Sequence, residues 1–188
     1  MTRILVLLIL WFSPPAQAEW NSSDFSISAL PFVGYHAGLS DFDSTAVSPA
    51  GGLGLSHGPK VGTRAKAALD RFFVAPDLSF GPMLGVVGTP MLWSIGLIAG
   101  TRLGYSGFDV YAGLSHQDFF SYDGSGGSFF RAGAAFDLAG KSSQFFVEAF
   151  YGSLTRYAET YQAKCTYYGL EAGIQFPIDF GKHSTRGI

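Results

Sequence analysis

The sequence predicts an all-β protein, a closed antiparallel eight-stranded up-and-down transmembrane β-barrel. Three observations carry that expectation. Apolar residues recur at every second position through most of the chain, which places them on one face of a strand. After the first 18 residues no apolar run approaches the roughly 20 that a membrane helix needs. Charges within the alternating stretches fall on the face opposite the large aromatics.

The elements follow in order. Residues 1–18 carry Arg3, the apolar run Ile4 to Phe12, the breakers Pro14 and Pro15, and Ala16-Gln17-Ala18. That is the pattern of a secretory signal peptide, and cleavage is expected after Ala18. In the first strand Phe25, Ile27, Ala29, Pro31, Val33 and Tyr35 share a face. A second strand is expected somewhere between Val47 and Leu69, where Gly52-Leu53-Gly54-Leu55 alternates and the ends are not defined by pattern. The next four faces are Phe72 to Phe80, Trp93 to Tyr105, Phe108 to Leu114 and Phe130 to Leu138. Phe145, Val147, Ala149 and Tyr151 form the seventh. The clearest is last: Tyr168, Leu170, Ala172, Ile174, Phe176, Ile178 and Phe180 against Gly169, Glu171, Gly173, Gln175, Pro177 and Asp179. The predicted division is a signal peptide at 1–18, a barrel at 19–180 and a short polar tail at 181–188.

Turn residues occupy the gaps. Tyr105-Ser106-Gly107 and Ala139 to Ser143 read as short connections, whereas Ser40 to Thr45, Phe120 to Ser128 and Tyr157 to Cys165 read as longer polar loops. Alternating short and long connections suit a meander with turns at one rim and loops at the other.

The polar face is rich in glycine, including Gly96, Gly100, Gly113, Gly133 and Gly173, and small residues suit a narrow interior. The apolar face carries the rings, with Trp93, Tyr105, Tyr151, Tyr168 and Phe180 near strand ends as an aromatic girdle. An apolar exterior implies lipid, and in hydrocarbon an unpaired backbone group costs several kcal/mol, so the sheet must close.

Composition narrows the function. Only 14% of the 188 residues are charged and the formal net charge is -2, so the basic surplus of a nucleic-acid binder is absent. The single Cys165 supplies neither an internal disulfide nor a metal-ligand cluster. No catalytic, cofactor or metal residues are assigned.

On these features, and on the terminal Phe176-x-Ile178-x-Phe180 pattern, the chain resembles the small outer-membrane barrels of Gram-negative bacteria, the class of the OmpA transmembrane domain and OmpX. The resemblance implies residence in the outer membrane as a monomer, contact with membrane lipid and lipopolysaccharide, and delivery by the barrel insertion machinery. In that class the aromatic is usually the final residue, whereas here Gly181 to Ile188 follow.

Arg71, Arg102, Arg131 and Arg156 are expected to face Asp77, Asp109, Asp137, Glu148 and Glu171 across the lumen, with Asp179 on the same face. Charges removed from water need partners, which points to a lumen plugged by ion pairs. The alternatives are a narrow small-solute pore and a lipid A-modifying deacylase or acyltransferase. For the enzyme, the candidates Ser56-His57, Ser115-His116 and His36 fail as dyads, because neighbours in a strand point to opposite faces. The His-x-Ser-Asn pattern associated with lipid A deacylases is also absent. Asp41, Asp43, Asp118, Asp123 and Glu159 are expected at the loop rim, and Lys60, Lys66, Lys141, Lys182 and Arg186 toward the turns or the tail. The expected role is a structural or surface-interaction protein of the envelope.

Overall fold

Inward glycine alternating with outward leucine, valine and phenylalanine produces one sheet that curls until its edges meet. The computed structural model describes residues 24–43, 53–84, 91–103, 107–120, 126–138, 143–158 and 161–184, with side chains over 25–41, 54–84, 91–103, 107–120, 126–138, 143–154 and 166–180. The signal segment and Tyr105 lie outside the described residues, and Arg156 and Cys165 lie in strands but outside the described side chains.

The strands are β1 Asp24–Asp43, β2 Leu53–Leu69, β3 Phe72–Pro82, β4 Met91–Leu103, β5 Phe108–Phe119, β6 Gly126–Asp137, β7 Gln144–Ala158, β8 Tyr161–Gln175 and β9 Ile178–Ser184. Each of β2 to β7 pairs antiparallel with its sequence neighbours, β8 pairs with β7, and β1 pairs with both β2 and β8 to close the barrel. The eighth expected strand is thus found at β2.

The barrel has a definite stagger. Followed across successive pairings, the line from Phe32 passes Gly62, Ser79, Ser94, Gln117, Gly127, Leu154 and Cys165 and returns to β1 at Phe42, ten residues nearer the loop end. Closure with such a shift tilts the strands relative to the barrel axis.

Three expectations need correction. The last strand is broken at Phe176-Pro177, since proline has no N–H to give to a ladder; it resumes as β9 against Asp24–Ala29 of β1. Gly181 to Ser184 therefore belong to a strand rather than to a tail, and Phe180 is the extra residue of a bulge between the pairs Ser28↔Asp179 and Ile27↔Gly181. The expected loop Tyr157 to Cys165 is instead a ladder, with Arg156 opposite Ala163 and Ala158 opposite Tyr161. Finally, Asp41, Asp43 and Asp118 lie within strands β1 and β5. Turn chemistry fits the other rim: Leu69 and Phe72 are joined by two residues, and Asp70 adopts φ 53, which aspartate tolerates better than most residues.

Orientation is as the alternation requires. Val33, Leu55, Phe72, Leu97, Leu114, Phe130, Tyr151, Leu170, Ile178 and Phe180 are exposed on the outer wall, while Phe32, Ile98, Phe129 and Phe146 are buried inside. The interior packs tightly because glycines face rings. A Cβ on Gly38 would lie 2.6 Å from the Tyr167 ring. Gly38→Ala is expected to cost about 1–3 kcal/mol by overpacking, read as a lowered urea midpoint of the refolded protein.

Candidate functional site: a charged lumen and an aromatic outer wall

Two buried apolar clusters bracket the middle of the lumen. Toward the loops, Met83, Leu92, Phe119, Phe129, Phe150, Leu154 and Tyr167 pack together. Toward the turns, Phe32, Phe73, Ala75, Ile98, Tyr111, Ala135 and Phe146 do the same. Within β7, Glu148 sits between Phe146 of one cluster and Phe150 of the other, and within β6 Arg131 sits between Phe129 and Ala135.

The charges between the clusters form a closed quartet. Arg131 Nε donates to Glu148 Oε1 at 2.5 Å and its Nη1 to Asp77 Oδ2. Arg64 Nη2 donates to Glu148 Oε2 at 2.9 Å, and Arg64 Nε lies 3.9 Å from Asp77 Oδ2. All four side chains are essentially inaccessible to solvent. Alongside, Lys60 Nζ donates to Glu171 Oε2 at 2.6 Å. Arg64 also packs its guanidinium against the rings of Phe32, Tyr111 and Phe146, at 5.2, 5.2 and 4.8 Å to the centroids. Aromatic faces and carboxylates together offset the desolvation of a fully buried cation.

Nearer the turns the network opens. Lys66 Nζ donates to Asp109 Oδ2 at 2.6 Å, and Arg102 Nε to Asp109 Oδ1 at 3.0 Å. The Arg102 and Asp137 side chains are 43% and 47% exposed, so this end is wetted. A vestibule of about 450 Å³ lies here, lined by Lys66, Arg71, Arg102, Asp137, Gln144 and Asp179 among others.

Five of the expected lumen charges, Asp77, Asp109, Arg131, Glu148 and Glu171, are therefore buried, and Arg102 reaches Asp109 from the half-exposed mouth. Arg71 and Asp137 belong to the vestibule rather than to the plug. Lys60, expected toward the turns or tail, is instead a buried lumen cation, Lys66 is at the turn end as expected but points into the lumen, and Arg64, which sequence reasoning missed, belongs to the central quartet. Their signal was present. From Ser56 to Lys66 every second residue is polar or glycine, but the facing set Pro59, Thr63, Ala65 and Ala67 is too weakly apolar to announce a strand.

The serine–histidine neighbours point apart. Ser56 is buried and its hydroxyl donates to Tyr167 Oη at 2.9 Å, whereas His57 lies outside, hydrogen-bonded to the Tyr35 hydroxyl. Ser115 is buried, and His116 lies outside against Trp93, ring centroids 5.9 Å apart. His36 is buried in the lumen, and neither of its ring nitrogens has a hydrogen-bond partner among the described residues. Among the described residues no cluster of three or more histidine, cysteine, aspartate or glutamate side chains is arranged to hold a metal ion.

Of the expected girdle, Trp93 lies on the outer wall near the loop end of β4 and Phe180 marks the opposite rim, whereas Tyr151 and Tyr168, expected near strand ends, face outward midway along β7 and β8, because both strands run further toward the loops than the pattern suggested. No family model matches the chain, and no curated protein matches it. Among solved structures the chain is similar to Neisserial surface protein A (NspA), at 16% identity over 81% of this chain and 96% of that one, with a TM-score of 0.46. It is also similar to Ail, the attachment invasion locus protein of Yersinia pestis, at 15% identity over 82% of this chain and 99% of that one, with a TM-score of 0.38.

Proposed function

We propose that this chain is an exported, monomeric β-barrel of a Gram-negative outer membrane, with its lumen plugged, serving as a structural or surface-interaction protein of the envelope. One observation carries the reading: a closed barrel presents its leucines, valines and aromatics outward and its ion pairs inward. In water that arrangement would expose the apolar set and bury the charged one, each at a cost; in a bilayer both preferences reverse in sign. On β3 the outward apolar residues run from Phe72 to Phe80, eight steps of about 3.3 Å on a strand tilted by about 40°, or roughly 20 Å of membrane depth. Signal cleavage after Ala18 delivers the chain, and the Phe176-Ile178-Phe180 series is the segment offered to the insertion machinery, with Ile178 and Phe180 lying in β9, which runs on to Ser184.

The experiment is fractionation of expressing cells with a heated and unheated gel comparison. The protein is expected in the outer-membrane fraction, with unheated material migrating as a compact species. Recovery in the soluble fraction without detergent overturns the reading. The plug is tested separately. Reconstituted protein is expected to show no conductance steps in planar bilayers, because apolar clusters and the quartet close the bore in series. Stable single-channel steps would replace the plug with a pore.

A further inference from the structure

Outside the lumen, one part of the wall departs from the simple apolar pattern. His116 on β5 lies opposite Ser128 on β6, Ser128 opposite Ser153 on β7, Ser153 opposite Thr166 on β8, and Thr166 opposite Asp41 on β1. All five are outward positions, exposed or half-buried. Directly beneath runs a second in-register row, Leu114, Phe130, Tyr151, Tyr168 and Leu39, of which Leu114, Phe130, Tyr151 and Tyr168 are exposed. The far side of the barrel lacks the pattern: near the loops β3 and β4 present Phe80, Pro82, Met91 and Trp93.

A level water–membrane boundary does not produce this row. In-register residues lie across the strands, and the ten-residue stagger makes every such line climb toward the loops as it passes from β5 to β1. Four interstrand steps of about 4.8 Å give a row about 19 Å long, rising by about 12 Å on strands tilted near 40°. Its low end, His116, is level with the girdle residue Trp93, against whose ring it packs. Polar side chains at that depth need a polar partner that itself comes down to the girdle.

We propose that this face, resting on the membrane reading above, binds the saccharide head of a glycolipid whose acyl chains continue down the apolar wall. Sugars present hydroxyl edges and an apolar C–H face. Hydroxyls, an imidazole and a carboxylate in one row match the edges, and the Phe130-Tyr151-Tyr168 ledge matches the apolar face. The five row residues include no lysine or arginine, so the recognised group is the sugar and not a phosphate.

The test uses the full mature chain in mixed micelles, with retained lipid read by native mass spectrometry. The probes are lipid A bearing core sugars, the same glycolipid with its phosphates removed, and phosphatidylglycerol. Wild type is expected to retain both glycolipids over phosphatidylglycerol by about tenfold or more, the size that one or two hydrogen bonds support. The triple variant Ser128→Ala, Ser153→Ala, Thr166→Val should lose that preference, and so should Tyr151→Leu with Tyr168→Leu, which keeps the wall apolar. Thr63→Val with Thr101→Val, elsewhere on the outer wall, should keep it. Loss of preference on removing phosphate, unchanged retention in both variants, or no preference in wild type overturns the proposal. The heated and unheated gel shift on the same samples reports folding and the membrane reading independently, so failure of one is distinguishable from failure of the other.

Discussion

Arg131→Met is expected to destabilise the barrel by about 3–5 kcal/mol, read from urea unfolding of the protein refolded into lipid vesicles. Arg131 holds both Asp77 and Glu148, and none of the three side chains reaches solvent. Removing the guanidinium leaves two carboxylates facing one remaining cation, Arg64, whose nearer contact is already committed to Glu148 at 2.9 Å. The cost arises from stranded charge more than from lost attraction. Replacing partners together, with Asp77→Leu and Glu148→Met added to Arg131→Met, should therefore recover part of the loss even though more ion pairs are gone. Arg102→Met is the contrast. Its side chain is 43% exposed at the turn-end mouth, Asp109 keeps Lys66 as a partner at 2.6 Å, and its loss is expected to cost under about 1 kcal/mol. Equal effects at Arg131 and Arg102 would mean that the central quartet is wetted and the lumen is not sealed.

Leu97→Arg should cost about 2–4 kcal/mol in a bilayer, the penalty for a cation near the middle of a barrel's lipid face. Leu97 is 56% exposed, lies midway along β4, and stands between Pro76 and Leu114 on the neighbouring strands. Because it touches the interior nowhere along its outward face, the same change in a water-soluble barrel would be close to neutral. The measurement is the difference in unfolding free energy between wild type and variant in vesicles. The partner variant Leu55→Arg, nearer the loop rim on β2, should cost about 0–1 kcal/mol as the penalty falls toward the interface. A flat profile across the two positions would remove lipid from the outer wall.

The parts of this fold that were readable in advance are those where both faces of a strand speak. In β8 the outward residues Leu170 and Ile174 alternate with Glu171 and Gln175, and any one-residue slip would exchange every member of the two sets. In β2 only the inward face is distinctive, and Ala65 and Ala67 blur the outward one, so the strand was located without its ends, Lys60 was placed too near the turns and Arg64 was missed. The breaks at Pro177 and Phe180 are local events whose outcome depends on what β1 offers opposite them, which no pattern within the last strand discloses.

By itself the order of residues determined the strand period, the number of staves and which face turns outward, because side-chain direction in an extended chain repeats every two residues and needs no knowledge of neighbours. Partner choice was decided only in three dimensions. Arg64 meets Glu148 and Arg131 meets Asp77 across 84 and 54 positions of chain, and which charges become neighbours depends on the stagger at which the sheet closes. The inclined hydroxyl row has the same origin: His116, Ser128, Ser153, Thr166 and Asp41 are scattered in sequence, and a ten-residue shift around the barrel aligns them.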